Sequence, residues 1–192
     1  MGKRVFVIHR WGGNPESDWY SWLKKELEGK GFEVHIPEMP NTDEPKIEKW
    51  ISHLSKLARN LDEDTYFIGH SIGCQTIMRY LETLPENTKV GGAVFVAGWF
   101  KLGNLEDDEV KQVARPWLEK AVNFSKVKRH LKKMTVILSS NDPYGFVSDN
   151  AKLFKDLLGA EVIIKKNKGH FTEDDGIKEL PSALKALLKL AS

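Results

Sequence analysis

The feature that most constrains the fold is a regular alternation of short apolar runs with amphipathic helical stretches. Six runs rich in β-branched and aromatic residues read as strands, and they lie at residues 3–9, 32–36, 65–68, 90–96, 134–139 and 160–164. Longer stretches with apolar residues at helical spacing separate them. Such alternation predicts a mostly parallel, six-stranded sheet with helices on both faces, which is a three-layer α/β/α sandwich.

Length and charge are typical of one globular domain. The chain has 192 residues, of which 41% are hydrophobic and 29% charged, and no repeat or linker divides it. We therefore expect a single domain over residues 1–192. Its 29 basic residues are interleaved with 27 acidic ones, which argues against a partner such as nucleic acid or an anionic membrane.

The compartment is predicted from what the sequence lacks. The N-terminal apolar run is too short for a signal peptide, and no segment approaches the about 20 apolar residues of a membrane span. The only cysteine, Cys74, excludes an intramolecular disulfide. These features favour a cytoplasmic protein, and we expect a monomer or a weak dimer.

One segment interrupts the alternation of strands and helices. Residues 98–133, between the fourth and fifth strands, are charged and contain several bulky aromatic residues. An insertion at the C-terminal end of a strand lies over the ligand-binding edge of a doubly wound sheet, so we expect a short helical lid here. Trp99, Phe100 and Trp117 either wall a substrate pocket or pack the lid, and we take them as candidate substrate-binding residues.

Residues 69–73 read Gly-His-Ser-Ile-Gly and fit G-x-S-x-G, the pattern of a nucleophile elbow. This turn holds a serine in a strained conformation between a strand and a helix, and its flanking positions must be small. Here an apolar run precedes the motif and a helical stretch follows it, as the turn requires. Ser71 is therefore the candidate nucleophile. The backbone amide of Ile72, at the start of the helix, is a candidate oxyanion-hole donor.

A serine hydroxyl needs a base, and the chain supplies one after a late strand. His170 follows the sixth predicted strand, and Asp142 follows the fifth. The order Ser71, Asp142, His170 is that of the α/β-hydrolase fold, and all three fall at the C-terminal edge of the sheet. We predict His170 as general base and Asp142 as the acid that orients it. The alternative acids, which fit this order less well, are Asp149 and Asp174.

The loop after the first strand, residues 9–13, is expected to supply the second oxyanion donor. The candidates are the amides of Arg10 and Trp11, and Trp11 is preferred because of its reach towards the oxyanion. Many hydrolases carry His-Gly at this place, whereas this chain has His9-Arg10. The Arg10 side chain either narrows the loop or contacts an acidic group of the substrate, and we count it among the substrate-binding candidates. The histidines show no metal-ligand spacing, so we predict neither a metal nor a cofactor.

With these residues in place, the chain resembles the small serine hydrolases of the retinoblastoma-binding-protein type, a compact branch of the α/β hydrolases. The resemblance spans nearly the whole chain and is carried by Trp11-Gly12-Gly13, Trp19-Tyr20-Ser21-Trp22-Leu23, the motif at residues 69–73, Arg115-Pro116-Trp117, Asn141-Asp142-Pro143-Tyr144 and Gly169-His170-Phe171. It implies a six-stranded core without the leading antiparallel hairpin of larger relatives, a short helical lid, and hydrolysis of small esters or amides.

The partner in the family's name is not carried over to this chain. Binding to a retinoblastoma-type pocket would use an L-x-C-x-E peptide. Around Cys74 the corresponding positions hold Ile72 and Thr76. We therefore expect a small-molecule partner, the ester or amide substrate.

These observations predict a serine hydrolase that cleaves small carboxylic esters, or amides, through an acyl-enzyme. A catalytically silent interaction protein on the same fold is one alternative, although a complete triad argues against it. An acyltransferase or thioesterase would use the same three residues, and the sequence does not separate these activities. A dehalogenase is disfavoured, because its nucleophile would be a carboxylate.

Overall fold

A six-stranded parallel sheet is the framework of the computed structural model, which describes residues 2–105 and 107–192. The strands are β1 (Arg4–Ile8), β2 (Glu33–His35), β3 (Thr65–His70), β4 (Gly92–Val96), β5 (Met134–Ser139) and β6 (Glu161–Lys165). They lie in the order β2-β1-β3-β4-β5-β6, and each neighbouring pair is parallel. The mostly parallel sheet predicted from the sequence is confirmed.

Helices cover both faces of this sheet. They are α1 (Tyr20–Glu28), α2 (Ile47–Leu57), α3 (Ile72–Leu81), α4 (Asp108–Glu119), α5 (Phe124–His130), α6 (Val147–Leu158) and α7 (Pro181–Leu190). Residues of α1 and α7 pack on one face, and residues of α2, α3, α5 and α6 pack on the other. The predicted three-layer architecture is therefore confirmed. Among the helices described, none is long and apolar enough to cross a membrane.

The two apolar cores follow from the alternation of side chains along each strand. In β1, Val5 and Val7 face α1 and α7, whereas Phe6 and Ile8 face the opposite core. The central strands β3 and β4 are buried along their whole length. Burial on both faces explains why these strands appear in the sequence as near-continuous apolar runs.

The segment predicted as a lid divides into two helices with different environments; its residue 106 lies outside the described residues. Helix α5 packs against α3 and α6, within the helical layer of the sandwich. Helix α4 instead borders a cavity at the C-terminal edge of the sheet. Its C-terminal end is fixed to the core, because buried Arg79 donates from Nη2 to the carbonyls of Trp117 and Lys120, both at 2.8 Å.

Candidate active site

Ser71 lies in a sharp turn between β3 and α3. Its backbone has φ 53° and ψ −116°, a left-handed conformation that is rare for residues other than glycine. A Cβ atom at Gly73 would lie 2.1 Å from the Ile8 carbonyl oxygen, and one at Gly69 would lie 2.7 Å from the Cys74 amide nitrogen. Gly73 thus lets the start of α3 pack against the end of β1, and Gly69 lets it pack against the end of β3. The Ile72 amide is at this helix end, where backbone N–H groups have no acceptor within the helix.

His170 is directly bonded to Asp142. Its Nδ1 lies 2.9 Å from Asp142 Oδ2, and the side chains are only 10% and 11% exposed. Because a carboxylate only accepts, Nδ1 carries the proton and Nε2 is left as an acceptor. The Tyr144 amide donates to Asp142 Oδ1 at 3.0 Å, and the Tyr144 ring packs edge-on against the imidazole at 4.8 Å between centroids. Both contacts restrict the orientation of the imidazole.

The loop that carries His170 is held by Asp175 and Asn141. Asp175 Oδ2 accepts from the His170 amide at 2.8 Å and from the amide and hydroxyl of Thr172 at 3.0 and 2.8 Å. Burial raises the pKa of Asp175, but these hydrogen bonds outweigh it and lower the pKa below its ordinary value. Asn141 Oδ1 accepts from the Gly169 amide at 2.9 Å. Gly169 has φ 53°, and a Cβ there would lie 1.9 Å from Asp175 Oδ1, so this close approach requires glycine.

Ser71 and His170 line one cavity without a hydrogen bond between them in the described part of the chain. Ser71 Oγ instead accepts from the indole Nε1 of Trp99 at 3.4 Å. In unliganded sites, hydrogen bonds between catalytic groups are often long and tighten when substrate binds. Asp142 thus lies behind His170, on the side of Nδ1. Ser71 lines the cavity, and its Oγ contacts the Trp99 indole.

The loop after β1 is fixed by His9, which is fully buried. His9 Nε2 accepts from the Met39 amide at 3.0 Å, so Nδ1 carries the proton and donates to the Arg10 carbonyl at 2.8 Å. Burial lowers the pKa of His9 and keeps it neutral. The Arg10 amide donates to Tyr20 Oη at 3.1 Å. For the Trp11 amide, no acceptor is found among residues 2–105 and 107–192. Of the two amides considered from the sequence, only that of Trp11 is thus available to a ligand.

The guanidinium of Arg10 is paired within the protein. Its Nε lies 2.8 Å from Oδ2 of Asp18, whose side chain is completely buried, and its Nη1 donates to the Trp11 carbonyl at 3.2 Å. The charge of Arg10 is therefore compensated within the protein, which argues against a contact between Arg10 and an acidic group of the substrate.

The cavity at this site has a volume of about 630 Å³. Its apolar wall comes from α4, the segment before it and the loop after β1, and consists of Trp11, Trp99, Leu102, Leu105, Val110, Val113 and Ala114. Its outer wall is acidic, with the exposed carboxylates of Asp43, Glu44, Glu109, Asp174 and Asp175. Among the described lining residues, the only lysine or arginine is the paired Arg10. The cavity is therefore suited to a small apolar group and unfavourable to an anion.

Two aromatic candidates lie outside this cavity. Phe100 packs against Phe154 and Phe124, at 4.3 and 5.2 Å between ring centroids. Trp117 is 2% exposed and donates from Nε1 to the Pro45 carbonyl at 2.9 Å. The structure thus brings Trp99 and Arg10 to the cavity, whereas Phe100 and Trp117 serve in packing. Tyr144, Asp175 and Asn141 were missed by the sequence reasoning.

Comparison with known proteins gives a match to one protein family and to individual relatives. Residues 5–189 match the protein family described as Serine hydrolase. The Bacillus subtilis protein YdeN is 33% identical over 185 residues, which cover 94% of this chain and 92% of YdeN. The serine hydrolase RBBP9 of Rattus norvegicus is 27% identical over 189 residues, covering 97% of this chain and 95% of RBBP9. The resemblance inferred from the motifs is confirmed.

Solved structures give the same fold. The crystal structure of the ydeN product from B. subtilis has a TM-score of 0.89 at 30% identity and covers 98% of both chains. Est1E from Butyrivibrio proteoclasticus, solved with ferulic acid, has a TM-score of 0.74 at 14% identity, covers 97% of this chain and 88% of its own, and shares the fold alone. The predicted α/β-hydrolase fold is confirmed.

Proposed function

Because this chain belongs to the serine hydrolase family, we propose that it cleaves small carboxylic esters, or amides, through an acyl-enzyme on Ser71. The observation that carries the proposal is the 2.9 Å contact between His170 Nδ1 and Asp142 Oδ2. This contact leaves Nε2 as a proton acceptor on the cavity that Ser71 also lines. Asp142 acts as the orienting acid, since it is the carboxylate bonded to the base.

In the first half of the reaction, His170 Nε2 takes the hydroxyl proton as Ser71 Oγ attacks the substrate carbonyl. The oxyanion of the tetrahedral intermediate accepts hydrogen bonds from the amides of Ile72 and Trp11. Asp142 stabilises the imidazolium that forms. The leaving alcohol or amine then takes the proton from His170, and the acyl group stays on Ser71.

In the second half, water attacks the acyl-enzyme. His170 accepts a proton from the water and returns it to Ser71 Oγ as the second tetrahedral intermediate collapses. The carboxylic acid leaves, and the resting enzyme is restored. No cofactor enters this cycle.

The cavity limits the substrates in size and charge. A volume of about 630 Å³ beneath the cover helix α4 accommodates a short or medium acyl chain. The apolar wall of α4 favours an uncharged acyl group, and the acidic outer wall repels a carboxylate. Turnover of long-chain lipid esters far faster than of short-chain esters would contradict this part of the proposal.

The test is labelling with a fluorophosphonate probe, followed by mapping of the adduct by mass spectrometry. We expect a single adduct on Ser71 in the wild-type protein, its loss in Ser71→Ala and His170→Ala, and its retention in Ser52→Ala, which removes an exposed hydroxyl outside the cavity. Hydrolysis of short esters is measured beside labelling, because an acyltransferase or thioesterase would give the same adduct. A folded wild-type protein that does not label would overturn the proposal in favour of a silent interaction protein.

A further inference from the structure

A buried chain of hydrogen bonds joins the loop after β1 to the loop that carries the base. His70, which is fully buried, lies with Nε2 2.7 Å from the His170 carbonyl oxygen. Because a carbonyl only accepts, Nε2 carries the proton, and His70 Nδ1 accepts from the Tyr20 hydroxyl at 2.6 Å. Tyr20 Oη in turn accepts from the Arg10 amide at 3.1 Å. The chain thus runs from the residue before Trp11 to the backbone of His170.

The protonation states of this chain are fixed by its surroundings. Burial, with a smaller contribution from His170, lowers the pKa of His70 to about 3, so the imidazole is neutral. Burial and then the charge of Asp18 raise the pKa of Tyr20 well above its ordinary value, so the phenol keeps its proton. Each member therefore has one defined donor and one defined acceptor role over the whole physiological range.

Asp18 forms a second hydrogen-bonded connection between the same two loops. Its Oδ2 accepts from Arg10 Nε at 2.8 Å, and its Oδ1 accepts from the Glu173 amide at 2.9 Å, three residues after His170. Asp18 Oδ2 also lies 3.6 Å from His70 Nδ1, beside the first chain. The Asp18 backbone has φ 56°, an uncommon conformation that the surrounding contacts must maintain.

We propose that Tyr20, His70 and Asp18 are positioning residues that hold the Trp11 amide and the His170 imidazole in register with Ser71. None of the three lines the cavity within the described residues, so they act through the two loops and not on the substrate. The inference rests on the function proposed above. A shift of about 1 Å in a group that contacts the transition state lowers a rate by about 100-fold, so a small relaxation of either loop is sufficient for a large effect.

The test is Tyr20→Phe in the full chain, which removes one oxygen atom and keeps the ring. We expect kcat for a short ester, and the rate of fluorophosphonate labelling, to fall by about 10- to 100-fold, with KM within about threefold. The matched control is Tyr80→Phe, since the buried Tyr80 hydroxyl donates to the Ala58 carbonyl at 2.6 Å, away from both loops. Tyr20→Phe loses two buried hydrogen bonds and Tyr80→Phe loses one, so the free energy of unfolding of both variants is measured beside the kinetics. Only Tyr20→Phe should lose turnover.

Asp18→Asn provides the second arm, because it removes the charge that pairs with Arg10 and keeps the size of the side chain. If both ties act through the same two loops, Tyr20→Phe and Asp18→Asn together should lower kcat by less than the product of the single effects. A folded Tyr20→Phe protein with wild-type kcat and a wild-type labelling rate would overturn the inference alone. A wild-type protein that neither labels nor hydrolyses would instead overturn the proposed function, and the inference with it.

Discussion

The indole Nε1 of Trp99 donates a hydrogen bond of 3.4 Å to Oγ of Ser71. This contact restricts the rotation of the hydroxyl before any substrate binds. Trp99→Phe keeps an aromatic wall but removes the donor, and one neutral hydrogen bond contributes about 1 kcal/mol, so we expect kcat/KM to fall about fivefold. Trp117→Phe, which loses an indole bond outside the cavity, should keep wild-type kcat/KM. Equal kinetics for both variants and the wild type would contradict a role for this contact.

The backbone of Ser71, at φ 53° and ψ −116°, predicts an unusual order of stability among its variants. Ser71→Gly and Ser71→Ala should both be inactive. Glycine tolerates this conformation, whereas a residue with a side chain is strained there by about 1–3 kcal/mol. Part of this advantage is lost, because glycine has more conformational freedom in the unfolded chain to give up on folding. We expect Ser71→Gly to exceed Ser71→Ala by about 1 kcal/mol in free energy of unfolding, measured with urea. An alanine variant of equal or higher stability would show that the turn is not strained.

Gly73 is the position in the elbow that least tolerates a side chain. The Cβ atom of an alanine would lie 2.1 Å from the Ile8 carbonyl oxygen, a backbone atom of β1. Overpacking of this kind costs about 1–3 kcal/mol or more, so Gly73→Ala should lower the melting temperature by many degrees or prevent folding. Gly2→Ala is the control, because its Cβ would have no atom within 4 Å. Equal melting temperatures of the two variants would refute the predicted clash.

Acid should destabilise the protein through its buried neutral histidines. Burial lowers the pKa of His9, and it lowers that of His70 to about 3, from an ordinary value of 6.5. Below that ordinary value the unfolded chain binds more protons than the native one, so stability is full above about pH 6.5 and declines as the pH falls towards 3. The free energy of unfolding, measured with urea, should decrease as the pH falls from about 7 to about 5. The decrease should be less steep in His70→Gln than in the wild type. The control Ser52→Ala removes no titratable group and should keep the wild-type slope. A wild-type slope in His70→Gln would exclude His70 as a source.

The acidic outer wall of the cavity predicts selection against anionic substrates. An ester with a free carboxylate should show a higher KM than a neutral ester of the same length, because Glu109 and Asp174 repel it. Asp174→Asn should narrow the difference, and so should added salt. The exposed control Glu16→Gln lies outside the cavity and should leave the difference unchanged. A carboxylate ester that binds as well as the neutral one would rule out this electrostatic selection.

Much of the fold follows from local pattern. Apolar runs bounded by turn residues locate the six strands. In the central strands β3 and β4 the run is nearly continuous, because burial on both faces requires it. The third strand is longer than predicted and continues to His70, since its parallel pairing extends to Val96. Parallel topology also brings the C-terminal ends of β5 and β6 together, which is why the contact between Asp142 and His170 was foreseeable.

The supporting contacts were not foreseeable, because they join residues distant in the chain and depend on side-chain rotamers. His70 and His170 are one hundred positions apart, and the pairing of Asp18 with Glu173 spans 155. The aromatic candidates show a second limit. Trp99 and Trp117 occupy the same segment, and residue type alone does not distinguish a cavity wall from a buried anchor. The helical spacing of Trp117 with Ala114, both buried in α4, was the available signal.

The attachment of α4 determines how the site is able to open. Its last turn is bonded to Arg79, and Trp117 is inserted beneath it, whereas Glu109, Val110 and Val113 extend over the cavity. The segment before the helix is held as well, because the Gly103 amide donates to the Tyr144 carbonyl and Asn104 Nδ2 donates to the Pro143 carbonyl, both at 2.7 Å. The cover over Ser71 is thus a beam clamped at both ends, and we expect an incoming substrate to meet the apolar surface of Leu102 and Leu105 as a preformed wall.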